Sequence, residues 1–185
     1  MDGLDGCGKD SHAARIEEAV ADSGREVAVL RHPSDGFLGR VSKLAVPGSG
    51  PLPLAIAIAF YTMDLLRSVR RYNRARDGVF IFVRYFLGTA YLPPGPAHMA
   101  YALFRRLLPF PDLALFIDIE PSVAIRRIEQ REHKREMFET GEKLTRISNV
   151  ARTLAKEEWV AIGNSIDGER PFLNTMRVLS ERPLT

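Results

Sequence analysis

Four short apolar runs, at 26–30, 79–83, 113–119 and 158–162, are rich in valine, isoleucine and phenylalanine. Runs of that length and make-up predict strands buried on both faces. Segments of helical length lie between and around them, at 9–22, 52–74, 97–108, 121–131 and 143–156. Strand and helix therefore alternate. That order implies right-handed crossovers and a parallel sheet with helices on both faces, with ligands at the carboxyl ends of the strands. Pro93-Pro94-Gly95-Pro96 and the 33–36 stretch punctuate loops after two of the strands. The chain has no internal repeat and no low-complexity tract.

With 185 residues, 45% of them hydrophobic, the chain fits one domain spanning 1–185 with a substantial core. Its one cysteine, Cys7, excludes an intramolecular disulfide, and no charged-then-apolar leader is visible, so a cytoplasmic location is expected. The longest apolar stretch, 51–63, contains prolines and runs into Asp64 and Arg67. It is expected to be a buried helix rather than a membrane span. The net charge is only +3, with 23 acidic residues spread among 26 basic ones, and no basic tract argues for nucleic acid. All but five of the basic residues are arginine, whose planar fork suits phosphate and carboxylate, although a compositional bias explains the same count. The four histidines show no metal-ligand spacing.

The opening "MDGLDGCGKD" carries the chemistry. Gly3, Gly8 and Lys9 have the G-x-x-x-x-G-K spacing of a phosphate-binding loop, in which backbone amides cradle phosphates and the lysine reaches the outer ones. Ser11 continues into a helix, placing the loop at a helix N-terminus that favours an anion. Two features depart from the pattern. Asp10 stands where a hydroxyl is usual, and only Met1 and Asp2 precede Gly3, so the first, central strand is expected to be absent or truncated and upstream residues are expected.

Gly3-Leu4-Asp5-Gly6-Cys7-Gly8-Lys9 resembles the "GLDGSGK" loop of thymidylate kinases, and the resemblance runs along most of the chain. "LRHP" at 30–33 is similar to the family's "TREP", "FYTMDLL" to its "LFxADR", and "VRYFLGTAY" at 83–91 to its "DRYxxSSxAY". "PDLALFIDIEPSVAIRRIEQR", followed by "EMFE", resembles "PDLTLFLDVPPEVALxRIxxR". The resemblance implies that Gly3, Asp5, Gly6, Cys7, Gly8, Lys9, Asp10 and Ser11 bind ATP, and that Asp5 also reaches the acceptor nucleotide. It implies that Arg84 stabilises the transferring phosphoryl group and that Arg31 grips the acceptor phosphate. Phe60 or Tyr61 would face the acceptor base, with Thr89 and Tyr91 beside it. Arg131, Lys134 and Arg135 would lie in a lid at about 131–142 and bring cations over the phosphates.

Simpler readings stand beside these. Phe60 and Tyr61 suit a core face, Arg131, Lys134 and Arg135 suit a solvated helix end, and Cys7 suits a small loop residue. Asp118 to Ser122 reads as a helix start with Pro121 in its first turn. The family's strand-end aspartate is Val83 here, and its helix arginine is Leu65. One reading of Val83 and Asp10 is decay to a non-catalytic, nucleotide-binding regulatory protein. The other is exchange, in which Asp10 takes over as the carboxylate for Mg2+. Gly88 and Leu92 remove polar groups that the family places near the base, which weakens any expectation of thymine specificity. The sequence as a whole is read as a three-layer αβα P-loop NTPase fold. The expected activity is ATP- and Mg2+-dependent phosphorylation of a nucleoside monophosphate, thymidylate first, by a homodimer joined through 52–74 and 97–108 without nucleic acid or membrane. A kinase for another small phosphate acceptor is the remaining alternative.

Overall fold

The computed structural model describes residues 1–45, 51–74, 78–130, 141–166 and 168–182. Its strands are β1 (Asp2–Gly3), β2 (Val27–Arg31), β3 (Val79–Val83), β4 (Leu115–Asp118) and β5 (Val160–Gly163). β2 pairs with β3, β1 with β4 and β4 with β5, every pair parallel. Met1 joins the two pieces: its N-terminal nitrogen donates to the Phe82 carbonyl at 2.7 Å, and its own carbonyl accepts from the Arg84 N–H at 3.0 Å. That is the bonding of a parallel ladder with Met1 beside Val83, giving the order β2-β3-β1-β4-β5. Of the two expectations for the central strand, absent or truncated, the short form holds: β1 is two residues long and Met1 extends its pairing. Below Met1 a cavity of about 130 Å³ lies between β3 and the approach to β4, lined by Val79, Ile81, Leu113 and Trp159 among others.

The helices are α1 (Lys9–Asp22), α2 (Phe37–Ala45), α3 (Pro51–Arg74), α4 (Pro94–Leu107), α5 (Pro121–Glu129), α6 (Gly141–Ala155) and α7 (Arg170–Glu181), with a 3-10 turn at Leu87–Tyr91. α1 packs on β2, β3 and α7, while α6 packs on β4, α4 and α5. The sheet is therefore sandwiched, as the alternation of elements requires. Phe86, Leu65, Ile117 and Leu144 are among the fully buried side chains, and they come from a loop, a strand and two helices. Arg152 pairs with Asp118 at 3.0 and 3.1 Å and with Glu120 at 3.2 Å, so the start of α5 is tied to α6 as structure.

α3 differs from expectation. By length and composition Leu52–Tyr72 could cross a membrane, yet only 22% of its most apolar window is buried, and Leu52, Leu54, Ile56, Ile58 and Met63 are exposed. A helix with one open apolar side and one packed side needs a partner or a tolerant surface. Its polar anchor is Asp64, 3% exposed, whose carboxylate accepts from the Ser34 N–H at 2.7 Å and the Ser34 hydroxyl at 2.6 Å. This contact pins the loop after β2 onto α3, and His32 adds a 2.8 Å bond to the Ser68 hydroxyl.

Candidate active site

The loop between β1 and α1 turns on Gly6 (φ 79°) and Gly8 (φ 85°) and closes with a Cys7 N–H to Leu4 carbonyl bond of 3.2 Å. A Cβ on Gly8 would lie 2.8 Å from the Asn164 amide nitrogen, so both the left-handed backbone and the close neighbour require glycine. Asn164, just after β5, donates to the Cys7 carbonyl at 2.6 Å and receives support from its own N–H, which donates to Asp118 at 2.7 Å. Gly8 caps α1 without a side-chain acceptor, so the first amides of the helix face the loop's concavity. Cys7 is fully buried, and burial pushes its thiol upward, which suits a packing residue rather than a redox site.

Lys9, Asp5, Arg84 and Tyr91 converge on this loop. Lys9 Nζ donates to the Leu4 carbonyl at 3.1 Å and to Asp5 at 3.4 Å. Arg84 donates to the same Asp5 oxygen, and the Tyr91 hydroxyl donates to the other at 2.7 Å. The Arg84 guanidinium also stands 5.5 Å from the centre of the Tyr91 ring. Burial of the Asp5 carboxyl would raise its pKa, but the charges of Arg84 and Lys9 and the Tyr91 hydroxyl outweigh it and hold the group well below the ordinary carboxylate range. A permanent anion thereby positions two cations at the mouth of a phosphate loop. Such an arrangement has the charge and the geometry that polyphosphate chemistry requires.

Asp10, in the first turn of α1, is exposed and pairs with Arg31 at 3.2 Å. Val83 is 2% exposed at the end of β3. Among the described residues no group of three or more His, Cys, Asp or Glu side chains gathers to hold a metal. A magnesium ion does not need one, because it takes one or two carboxylates and completes its shell with phosphate oxygens and water. Asp10 fits that description; Asp5 and Asp2, each spent on internal donors, do not.

The other expected residues divide. Tyr61 reaches the site, its hydroxyl donating to the Arg84 carbonyl at 2.8 Å, whereas Phe60 turns to Phe37 of α2 with ring centres 6.4 Å apart. Thr89 is 4% exposed and its hydroxyl donates to Phe86 at 2.8 Å inside its own turn, because the 3-10 geometry brings that carbonyl within reach. Ser11 is exposed beside Asp10. Arg131, Lys134 and Arg135, and the lid up to residue 140, lie outside the described residues; 141 and 142 begin α6. Two residues with no motif to flag them join the site. Asp2 accepts the N–H groups of Tyr85, Phe86 and Leu87, and Arg146 of α6 donates to the Tyr91 carbonyl at 3.4 Å.

Comparison with known proteins gives the family and the fold. The family model for thymidylate kinase matches residues 1–172. The chain is 28% identical over 176 residues to a protein of Pyrobaculum calidifontis described as "Probable thymidylate kinase", covering 92% of this chain and 87% of the relative. It is 23% identical over 169 residues to the thymidylate kinase of Leptospira borgpetersenii, covering 88% and 82%. The solved thymidylate kinase of Candida albicans superposes with a TM-score of 0.72 at 15% identity, over 97% of this chain and 89% of that one.

Proposed function

Because the chain belongs to the thymidylate kinase family, whose members are ATP-dependent nucleoside monophosphate kinases, we propose that it moves the γ-phosphoryl group of ATP to thymidylate. The observation that carries the reading is the Asp5 cluster, in which Lys9, Arg84 and Tyr91 meet beside a glycine loop on a helix N-terminus. The loop amides and Lys9 hold the donor phosphates. Arg84 meets the negative charge that spreads over the transferring group, and the reaction is an in-line displacement with little covalent work for the protein. Arg31 grips the acceptor phosphate, and the Tyr61 ring, anchored at its hydroxyl, presents a face to the acceptor base. The relatives, named as kinases, give no support to a regulatory protein that had lost catalysis.

Asp10 would hold the magnesium ion, which when bound neutralises charge shared between the β- and γ-phosphates. Its pairing with Arg31 also lets it orient the acceptor's cation, and one variant separates the roles. Asp10→Ala, which leaves no oxygen to replace the carboxylate, is expected to raise the magnesium concentration needed for half-maximal turnover about tenfold. Were Asp10 only orienting Arg31, the KM for thymidylate would rise instead while the magnesium requirement stayed put.

The decisive assay is ADP release from magnesium-ATP against a panel of nucleoside monophosphates. The best kcat/KM is expected for thymidylate, and a well-folded sample that binds ATP yet responds to no acceptor would overturn the reading. We propose further that the open face of α3 is covered by a second copy of the chain, so light scattering on the same sample should give twice the 20.7 kDa chain mass.

A further inference from the structure

Arg84 has φ 62°, the left-handed region that a side-chain-bearing residue adopts only when its surroundings over-determine it. Three groups do so. The Arg84 N–H donates to the Met1 carbonyl at 3.0 Å, and the next three N–H groups converge on the carboxylate of Asp2 at 2.9 to 3.2 Å. The third is Tyr61, whose hydroxyl reaches across from α3 to the Arg84 carbonyl at 2.8 Å. The first two come from the strand that leads into the phosphate loop. Tyr61 alone of the three comes from the helix that borders the acceptor side.

The hydroxyl has room because of Gly88. A Cβ at that position would lie 2.6 Å from the Tyr61 oxygen and 3.2 Å from the ring carbon that bears it. Gly88 needs no left-handed backbone, so nothing but this contact forbids a side chain there. We infer that Tyr61 is a positioning residue for the transfer: its hydroxyl, seated in the space Gly88 leaves, fixes the Arg84 peptide and thereby aims the guanidinium at Asp5 and the phosphoryl group. The Tyr61 ring is also placed against the acceptor, so substrate binding and arginine alignment share one side chain. This rests on the kinase reading above.

The test is a double-mutant cycle of Tyr61→Phe and Gly88→Ala, read by kcat, KM and melting temperature. Tyr61→Phe keeps the ring and loses one hydrogen bond, so kcat should fall about fivefold to tenfold with the thymidylate KM held within about twofold and the melting temperature lowered by no more than a few degrees. Gly88→Ala should cost a similar factor by displacing the hydroxyl. In the Tyr61→Phe background the same alanine should cost clearly less than it does alone, because the 2.6 Å collision is gone and only the 3.2 Å contact with the ring carbon remains. Unchanged kcat in both single variants, strictly multiplying losses, or losses that follow the melting temperature would each overturn the inference. If the wild type itself proves inactive, the kinase reading fails separately. Hydrogen exchange across residues 84–88 then decides the present point, with faster exchange in Tyr61→Phe expected and unchanged exchange overturning it.

Discussion

Replacing Arg84 by alanine is expected to lower kcat about a thousandfold while the Kd for ATP changes by no more than a few-fold. The side chain is 22% exposed at the loop mouth and is held against Asp5 and the Tyr91 ring, so it is aimed before substrate arrives. Pre-alignment of this kind adds little to ground-state binding, since ATP already has the loop amides and Lys9. It acts where charge spreads onto the transferring oxygens. The left-handed backbone costs an alanine about what it costs an arginine, and Asp5 keeps Lys9 and Tyr91 as partners, so the melting temperature should fall by only a few degrees. Arg84→Lys should recover a small part of the rate, because it restores charge without the planar fork. Calorimetric ATP binding alongside single-turnover kinetics checks this. A variant that turns over normally once saturated would make Arg84 a binding residue instead.

The helix 9–22 and the strand 79–83 are legible in the sequence because each has a clear boundary, Gly8 before the one and Gly78 before the other, and because 79–83 is an unbroken apolar run. β1 is not legible, since two residues hold no period. Its existence is imposed by neighbours, with Asp2 opposite Phe116 and Gly3 opposite Ile117. α2 hides among the turn residues around Gly36 and Gly39, and α7 follows a loop whose length gives no warning of it. Lys9 and Asp5 announce themselves through a motif, yet their meeting with Arg84, 79 positions beyond Asp5, depends on strand order and on the left-handed turn after β3.

The departures from the family pattern also become intelligible only in three dimensions. Leu65 stands where the family has an arginine and is fully buried, so this helix position cannot present a cation to a base without reorganising the core. Gly88 reads in the sequence as a lost serine, and the structure supplies the reason in the Tyr61 hydroxyl that fills its volume. Asp64 did leave a trace, as a lone carboxylate inside "FYTMDLL". A charge at that spacing on an apolar helix must find donors, and Ser34 provides two.

Asp5→Asn is expected to damage both stability and turnover, which separates the anchor from the residues it anchors. The carboxylate is 9% exposed and accepts from Arg84, Lys9 and Tyr91, so an amide in its place leaves two nearly buried cations facing a group that cannot balance them. Breaking such a cluster costs about 3 kcal/mol, and kcat should fall about a hundredfold as Lys9 and Arg84 lose their shared reference point. The pH dependence has a definite sign. Burial opposes ionisation, but the two cations and the tyrosine hydroxyl prevail, so the folded pKa lies below the unfolded value of about 3.9. A depressed carboxyl contributes its full stability above the unfolded value and loses it as the pH falls towards the folded one. Urea unfolding should therefore show a constant gap between the wild type and Asp5→Asn from pH 7 to 5, narrowing below about pH 4. A gap unchanged at pH 3 would mean that Asp5 draws nothing from its charge. Alignment would then have to come from hydrogen-bond geometry alone, and the asparagine, which keeps an acceptor oxygen, should retain most of the turnover.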